Sequence, residues 1–210
     1  MPGADALYIL GDLFESWVGD DGLELPFNKR VAEDLTRAAR ATPMFFMHGN
    51  RDFLVARRFS DETGVRLIED PAIVDLYGRR TLLMHGDTLC TDDVQYQAFR
   101  KQVRDPRWQQ AVLSRPLAER LAMARGLRGE SEGAKQGKSM EIMDVSPTAV
   151  EAAFRDNDCD LLIHGHTHRP MRHVHDVDGR ERERWVLTDW YERGGYLEVT
   201  PQSQRFIAIT

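Results

Sequence analysis

Four short apolar runs, each closed by a glycine and a side chain able to bind a metal, give the chain its rhythm. Residues 6–10 run into Gly11-Asp12, residues 44–47 into His48-Gly49-Asn50, residues 81–84 into His85-Gly86-Asp87, and Leu161-Leu162-Ile163 into His164-Gly165-His166-Thr167-His168. Each run has the length of a buried strand. The glycines allow sharp turns with positive φ and a close approach of backbone to ligand, so each strand can end by presenting a side chain. Helical signals lie between them. Val31, Leu35 and Ala38-Ala39 recur at helical spacing within 29–39, and Ser146-Pro147 reads as an N-cap and first helical position ahead of 149–154. Strand alternating with helix predicts a layered α/β fold. After Arg169-Pro170 the pattern changes to short strands at 185–187, 196–199 and 205–209, an antiparallel finish to the domain.

Residues 89–140 break the strand rhythm and predict a mostly helical insertion. Leu113, Leu117 and Leu121 fall at i, i+4 spacing on one face, with Arg115 and Arg120 elsewhere on the wheel, a pattern that in most such helices is a core stripe with a solvated basic face. The segment holds ten basic and six acidic side chains, a net of +4, so the remainder carries −10 of a chain whose net charge is −6. Positive charge concentrated in one partly amphipathic insertion suits an anionic substrate with an acyl portion, or anionic lipid headgroups. The acidic remainder disfavours nucleic acid as a partner.

At 210 residues, 41% hydrophobic and 30% charged, the chain reads as one globular domain able to bury a core. Cys90 and Cys159 have no paired spacing, which predicts buried thiols and a reducing cytoplasm. No run approaches the roughly 18 apolar residues of a spanning helix, and no secretory signal opens the sequence, so a membrane would be met at its surface.

Alternate residues at a strand end, such as His166 and His168, can aim at one point, and strand ends of open α/β sheets line the binding crevice. Taken together, Asp12, Asn50, His85, His166 and His168 offer oxygen and imidazole donors that suit Mn²⁺, Fe²⁺ or Zn²⁺. So many donors from separate strand ends favour two ions, with Asp12 bridging them. His48 reads as a satisfied strand-end histidine. His173-Val174-His175 has the spacing of a ligand pair but lies in a charged stretch, and reads as ordinary surface.

Gly11-Asp12, Gly49-Asn50, His85-Gly86-Asp87 and Gly165-His166-Thr167-His168, in this order, resemble the calcineurin-like metallophosphoesterase superfamily. The longer matches, residues 8–15, 48–54, 85–93 and 164–170, resemble its branch of lipid A pathway pyrophosphatases acting on UDP-2,3-diacylglucosamine. The resemblance implies two mixed sheets flanked by helices, the 89–140 insertion as a lid over the acyl and sugar groups, and two divalent ions, Mn²⁺ foremost. It implies a UDP-linked acylated amino sugar as substrate, a product pair of UMP and 2,3-diacylglucosamine 1-phosphate, and work at the cytoplasmic face of the inner membrane. Carried over by position, Asp12, Asn50, His85 and His166 serve the second ion, and His168 with Asp12 the first. Asn50, Arg51, Asp93, Ser131, Lys135, Lys138 and His166 touch substrate, and Asp12, Asn50, Arg51 and His85 form the catalytic set.

Two departures matter. The superfamily's opening Asp-x-His has no counterpart before Asp12, which predicts a first strand lacking from the sequence and an incomplete first metal site. Arg51 stands where many metallophosphoesterases carry a histidine that protonates an alkoxide. A phosphate leaving group needs little protonation, whereas a guanidinium can grip its oxygens in parallel, so arginine here favours pyrophosphate over monoester substrates. The alternatives are a metallophosphoesterase of other specificity, such as a nucleotide phosphodiesterase, and a non-catalytic metal-binding fragment.

Overall fold

The computed structural model describes residues 3–136, 142, 144–191 and 194–209, with the backbone alone over 130–136. The chain divides into two compact units, one from Met1–Glu69 with Asp93–Met140, the other from Asp70–Asp92 with Glu141–Thr210.

In the first unit β1 (Leu7–Ile9), β2 (Met44–Met47) and β3 (Arg66–Ile68) form a parallel sheet in that order. Parallel neighbours need a crossover, and α1 (Pro26–Ala39) and α2 (Arg57–Thr63) supply the two. Pro26 opens α1 with φ already set, and the helix turns Ala32 and Leu35 inward. α2 stops at Gly64, whose φ of 76° is the left-handed conformation glycine adopts without a steric cost. Phe14, Trp17, Phe46 and Phe59 meet in tilted and edge-on pairs around this sheet, with ring centroids 4.5 Å apart for Phe14 and Trp17 and 6.0 Å for Phe46 and Phe59.

The helical insertion belongs to this unit and runs as α3 (Val94–Val103), α4 (Pro106–Leu113) and α5 (Leu117–Gln136). Asp93 and Asp105 cap α3 and α4 by accepting from the backbone N–H groups of Tyr96, Arg107 and Trp108. The expected stripe of Leu113, Leu117 and Leu121 is split. Pro116 disfavours helical geometry at Arg115, so α4 ends at Leu113 and α5 begins afresh. Val112 is the buried residue of α4, and Leu113 is exposed. Arg120 is no solvated charge either. At 4% exposure it is buried, donating to the carbonyls of Val18 and Arg115 and pairing with Asp21. Residue 89, the expected start, lies in the other unit's core, so the insertion opens at Asp93.

In the second unit β4 (Ala72–Leu76), β5 (Arg79–Met84), β6 (Leu161–His164), β8 (Arg180–Val186) and β7 (Met171–Val177) lie side by side in that order, with β5, β6 and β8 parallel. Tyr77-Gly78 and Asp178-Gly179, all at positive φ, close the β4–β5 and β7–β8 hairpins. α6 (Pro147–Asn157) has Ser146 and Pro147 at the expected cap positions, although the Ser146 hydroxyl pairs with Thr148 Oγ1 at 2.9 Å instead of capping the backbone. It buries Val150 and Phe154 with Leu82, Met84, Leu162 and Cys159. β9 (Gly194–Val199) and β10 (Gln204–Ile209) form a separate antiparallel pair.

Two expectations for this unit are corrected. The strand expected at 185–187 starts at Arg180 and pairs parallel with β6, so the finish is not purely antiparallel. Its inward positions are Arg182 and Arg184, both buried. Arg182 donates to the carbonyls of Phe154 and Cys159, and Arg184 to the imidazoles of His164 and His175. His173 and His175 are not ordinary surface. They occupy the half-buried face of β7, and burial, with Arg184 adding, holds both below the usual histidine range. Cys90 and Cys159 are buried thiols as expected.

Candidate metal centre

Both units place ligand-type residues just past the carboxyl ends of adjacent parallel strands. In the first unit these are Gly11-Asp12 after β1 and Gly49-Asn50-Arg51 after β2. Asp12 sits at φ 55° after Gly11 at 88°, so the chain turns sharply there. The two turns touch. Arg51 N–H donates to Asp12 Oδ1 at 3.0 Å, and a Cβ on Gly49 would lie 2.2 Å from that oxygen and 2.3 Å from the Asp12 nitrogen. Only a residue without a side chain fits at 49.

A residue overlooked in the sequence holds these turns together. Asp52, wholly buried, accepts from Gly49 N–H at 2.8 Å and Asp12 N–H at 3.3 Å through Oδ1, and from Phe14 N–H at 3.3 Å through Oδ2. One carboxylate thus satisfies three backbone donors from two loops. Its signal was its place in Gly49-Asn50-Arg51-Asp52, where a short carboxylate can reach back to the backbone N–H of its own turn. Arg104, the residue after α3, adds a bond from Nη2 to the Gly49 carbonyl at 2.9 Å.

Arg51 is mostly shielded, with its Nη1 2.8 Å from Glu15 Oε2 and its Nε 3.6 Å from Asp12 Oδ2. Asp93 spends one oxygen on the α3 cap, at 3.0 Å from Tyr96 N. Among the expected substrate residues, Lys138 and the side chains of Ser131 and Lys135 lie outside the described residues. His48 donates from Nε2 to the Val55 carbonyl at 2.7 Å, and burial lowers its pKa, in keeping with a satisfied strand-end histidine.

In the second unit His85 follows β5, and His166 and His168 follow β6. His85 is buried. Its backbone N–H donates to Asp70 Oδ1 at 3.1 Å and its carbonyl accepts from Gly165 N at 2.9 Å, which ties the two strand ends together. The rings of His85 and His166 lie edge to face, 5.0 Å between centroids. His166 and His168 have φ of 65° and 55°, so two left-handed residues flank Thr167 and turn both imidazoles out of the strand direction. His168 Nδ1 is 3.4 Å from Asp189 Oδ2, a carboxylate placed to orient the ring as those behind metal-bound histidines do. His164 differs from its neighbours. Fully buried, it donates from Nδ1 to Gly165 O at 2.9 Å and accepts from Arg184 at Nε2, and burial, with Arg184 and His85 adding, drives its pKa down to about 3. Gly86 at φ 114° leaves no room for a side chain beside it, since a Cβ would lie 2.7 Å from His164 Nδ1.

A family model described as calcineurin-like phosphoesterase matches residues 2–170, and the chain belongs to that family. Its sheets flanked by helices are those of the metallophosphoesterase fold. The chain is 50% identical over 204 residues to the UDP-2,3-diacylglucosamine hydrolase of Bordetella pertussis, an alignment covering 93% of this chain and 79% of that one. It is 52% identical over 193 residues to the hydrolase of that name from Aromatoleum aromaticum, covering 91% and 78%. For Xanthomonas campestris the figures are 50% over 207 residues, covering 95% and 83%. Within the phosphoesterases the chain therefore falls among the UDP-2,3-diacylglucosamine hydrolases.

Proposed function

We propose that the chain hydrolyses the pyrophosphate bond of UDP-2,3-diacylglucosamine to UMP and 2,3-diacylglucosamine 1-phosphate, a step of lipid A synthesis. The observation that carries this is identity at about half of all positions, across more than nine-tenths of the chain, with hydrolases of that name.

The donor set fits divalent cations. Asp12 and Asn50 offer oxygens, and His85, His166 and His168 offer imidazoles, a mixture suited to Mn²⁺ and unlike the all-oxygen sets of calcium sites. Asp12, Asn50, His85 and His166 would hold one ion, and Asp12 with His168 the other. Two such ions, when bound, neutralise charge building on the phosphoryl oxygens and lower the pKa of water toward neutrality. Water adds to the phosphorus bonded to uridine, and the bridging oxygen departs with the sugar phosphate. Arg51 grips that departing phosphate with two parallel bonds, so it leaves as an anion without a proton donor. Asp93, Ser131, Lys135 and Lys138 are the further substrate contacts we assign, with Asn50 and His166 serving metal and substrate both.

We place the protein on the cytoplasmic face of the inner membrane. The described helices include none long and apolar enough to cross it, while the insertion exposes Val94, Phe99, Leu113 and Leu127 among its basic residues. The test is UMP release from UDP-2,3-diacylglucosamine with Mn²⁺, against bis-p-nitrophenyl phosphate as competitor class. UMP release abolished by chelation is expected, and turnover of the diester alone would refute the assignment. Cosedimentation with phosphatidylglycerol vesicles tests the membrane placement, and protein left in the supernatant would refute it.

A further inference from the structure

Among the described residues, two ion pairs tie α5 to the segment between β1 and α1. Near its start, buried Arg120 pairs with Asp21 and donates to the Val18 carbonyl. Two turns later Arg128 Nη1 lies 2.8 Å from Glu15 Oε2. Eight residues of helix rise about 12 Å, so α5 runs along that segment, fastened at each end of the stretch.

The second fastening has a property the first lacks. Glu15 Oε2, the oxygen that meets Arg128, also accepts from Arg51 Nη1 at 2.8 Å. A single carboxylate oxygen thus serves two guanidinium groups, one beside Asp12 and one on the insertion. Two cations brought to one point repel each other, and the anion between them is what lets them converge. Exposed pairs such as Arg57 with Asp61 join neighbouring turns of one helix and contribute little. The Glu15 bridge instead joins three separate segments, and Arg51 has only 22% of its side chain exposed.

We propose that Glu15 is a positioning residue: it fixes the Arg51 guanidinium for the departing phosphate and, through the same oxygen, sets the place of α5. The orientation of Arg51 and the position of the insertion are therefore adjusted together. The first half rests on the role given to Arg51 above; the second does not.

A double-mutant cycle tests it, using Glu15→Gln, Arg128→Met and the pair, with UMP release as the readout. Glu15→Gln is expected to lower kcat about ten-fold while KM moves less than about three-fold. Arg128→Met is expected to cost about three-fold in kcat/KM with Glu15 present and almost nothing in the Glu15→Gln background, since the charge that draws the two guanidinium groups together is already gone there. Additive costs would overturn the coupling. Glu15→Asp keeps the charge on a shorter stem and should lose less than Glu15→Gln; equal losses with a lowered Tm would mark a merely structural role and overturn the proposal. Amide hydrogen exchange gives a reading independent of turnover. Glu15→Gln should speed exchange over residues 121–129 several-fold and leave 117–120, fastened by Arg120, unchanged. Unchanged exchange over 121–129 would refute the tether. If the unmodified chain releases no UMP, the proposed function fails and takes the Arg51 half with it, and exchange alone decides the tether.

Discussion

Asp52→Asn removes one oxygen from the carboxylate that joins the two turns of the first unit. The amide nitrogen must take the place of either Oδ1 or Oδ2. At Oδ2 it faces the Phe14 N–H, replacing an acceptor by a donor, while the oxygen still serves Gly49 and Asp12. At Oδ1 two backbone donors lose their acceptor, so the first arrangement is the cheaper. Even there one charge-assisted bond is lost, about 1.5 to 3 kcal/mol, the other two fall to neutral strength, and a buried N–H is left unmatched. A total near 3 kcal/mol follows. For a chain of this size that is a fall in Tm of about 6 to 12 °C, read by circular dichroism in metal-free buffer. Because Asp12 is reached through the same carboxylate, Mn²⁺ affinity measured by calorimetry should fall as well. A Tm shift under about 2 °C with unchanged affinity would show that Asp52 does not hold the turns, and the reasoning would fail.

Three other expectations follow. Gly49→Ala should destabilise by about 1 to 3 kcal/mol and weaken metal binding, because its Cβ meets Asp12 at 2.2 Å, whereas Gly126→Ala, with nothing within 4 Å, should be harmless; equal effects in urea unfolding would refute this. Stability should fall as pH drops below about 6.5. Between that value and about 3 the unfolded chain holds a proton on His164 that the folded chain refuses, so the loss between pH 7 and 5 is about 2 kcal/mol from this residue, with His173 and His175 acting in the same direction. Asp21 and Glu183, whose carboxyls Arg120 and Arg172 hold low, act only below their ordinary range near 4, and a flat urea midpoint between pH 7 and 5 would contradict the assignment. Arg51→His should cut kcat/KM for UDP-2,3-diacylglucosamine by about ten-fold or more while sparing bis-p-nitrophenyl phosphate; intact pyrophosphate turnover would remove Arg51 from its role.

The strands that present ligands were legible because each is an apolar run stopped by glycine. β1, β2, β5 and β6 carry Asp12, Asn50, His85 and His166 as the pattern implies. What the sequence hid was polar residues turned inward. His173-Val174-His175 read as surface because histidine in a charged stretch is usually solvated, yet Arg184 meets His175 and His164 inside the second unit, and Arg182 finds buried carbonyls there. Arg120 was misplaced for the same reason: an amphipathic wheel assigns charge outward, and its partners, Val18 and Asp21, are a hundred residues away. β3, of three residues, is too short to show a period. Asp52 and Glu15 act through backbone donors and arginines far off in the chain, contacts that spacing alone does not register.

Hydrolysis in ¹⁸O-water, followed by mass spectrometry of both products, tests the central claim most directly. The account predicts one labelled oxygen in UMP and none in 2,3-diacylglucosamine 1-phosphate, since water adds to the uridine-side phosphorus. Label in the sugar phosphate, or no cleavage of this substrate by metal-loaded protein, would contradict it.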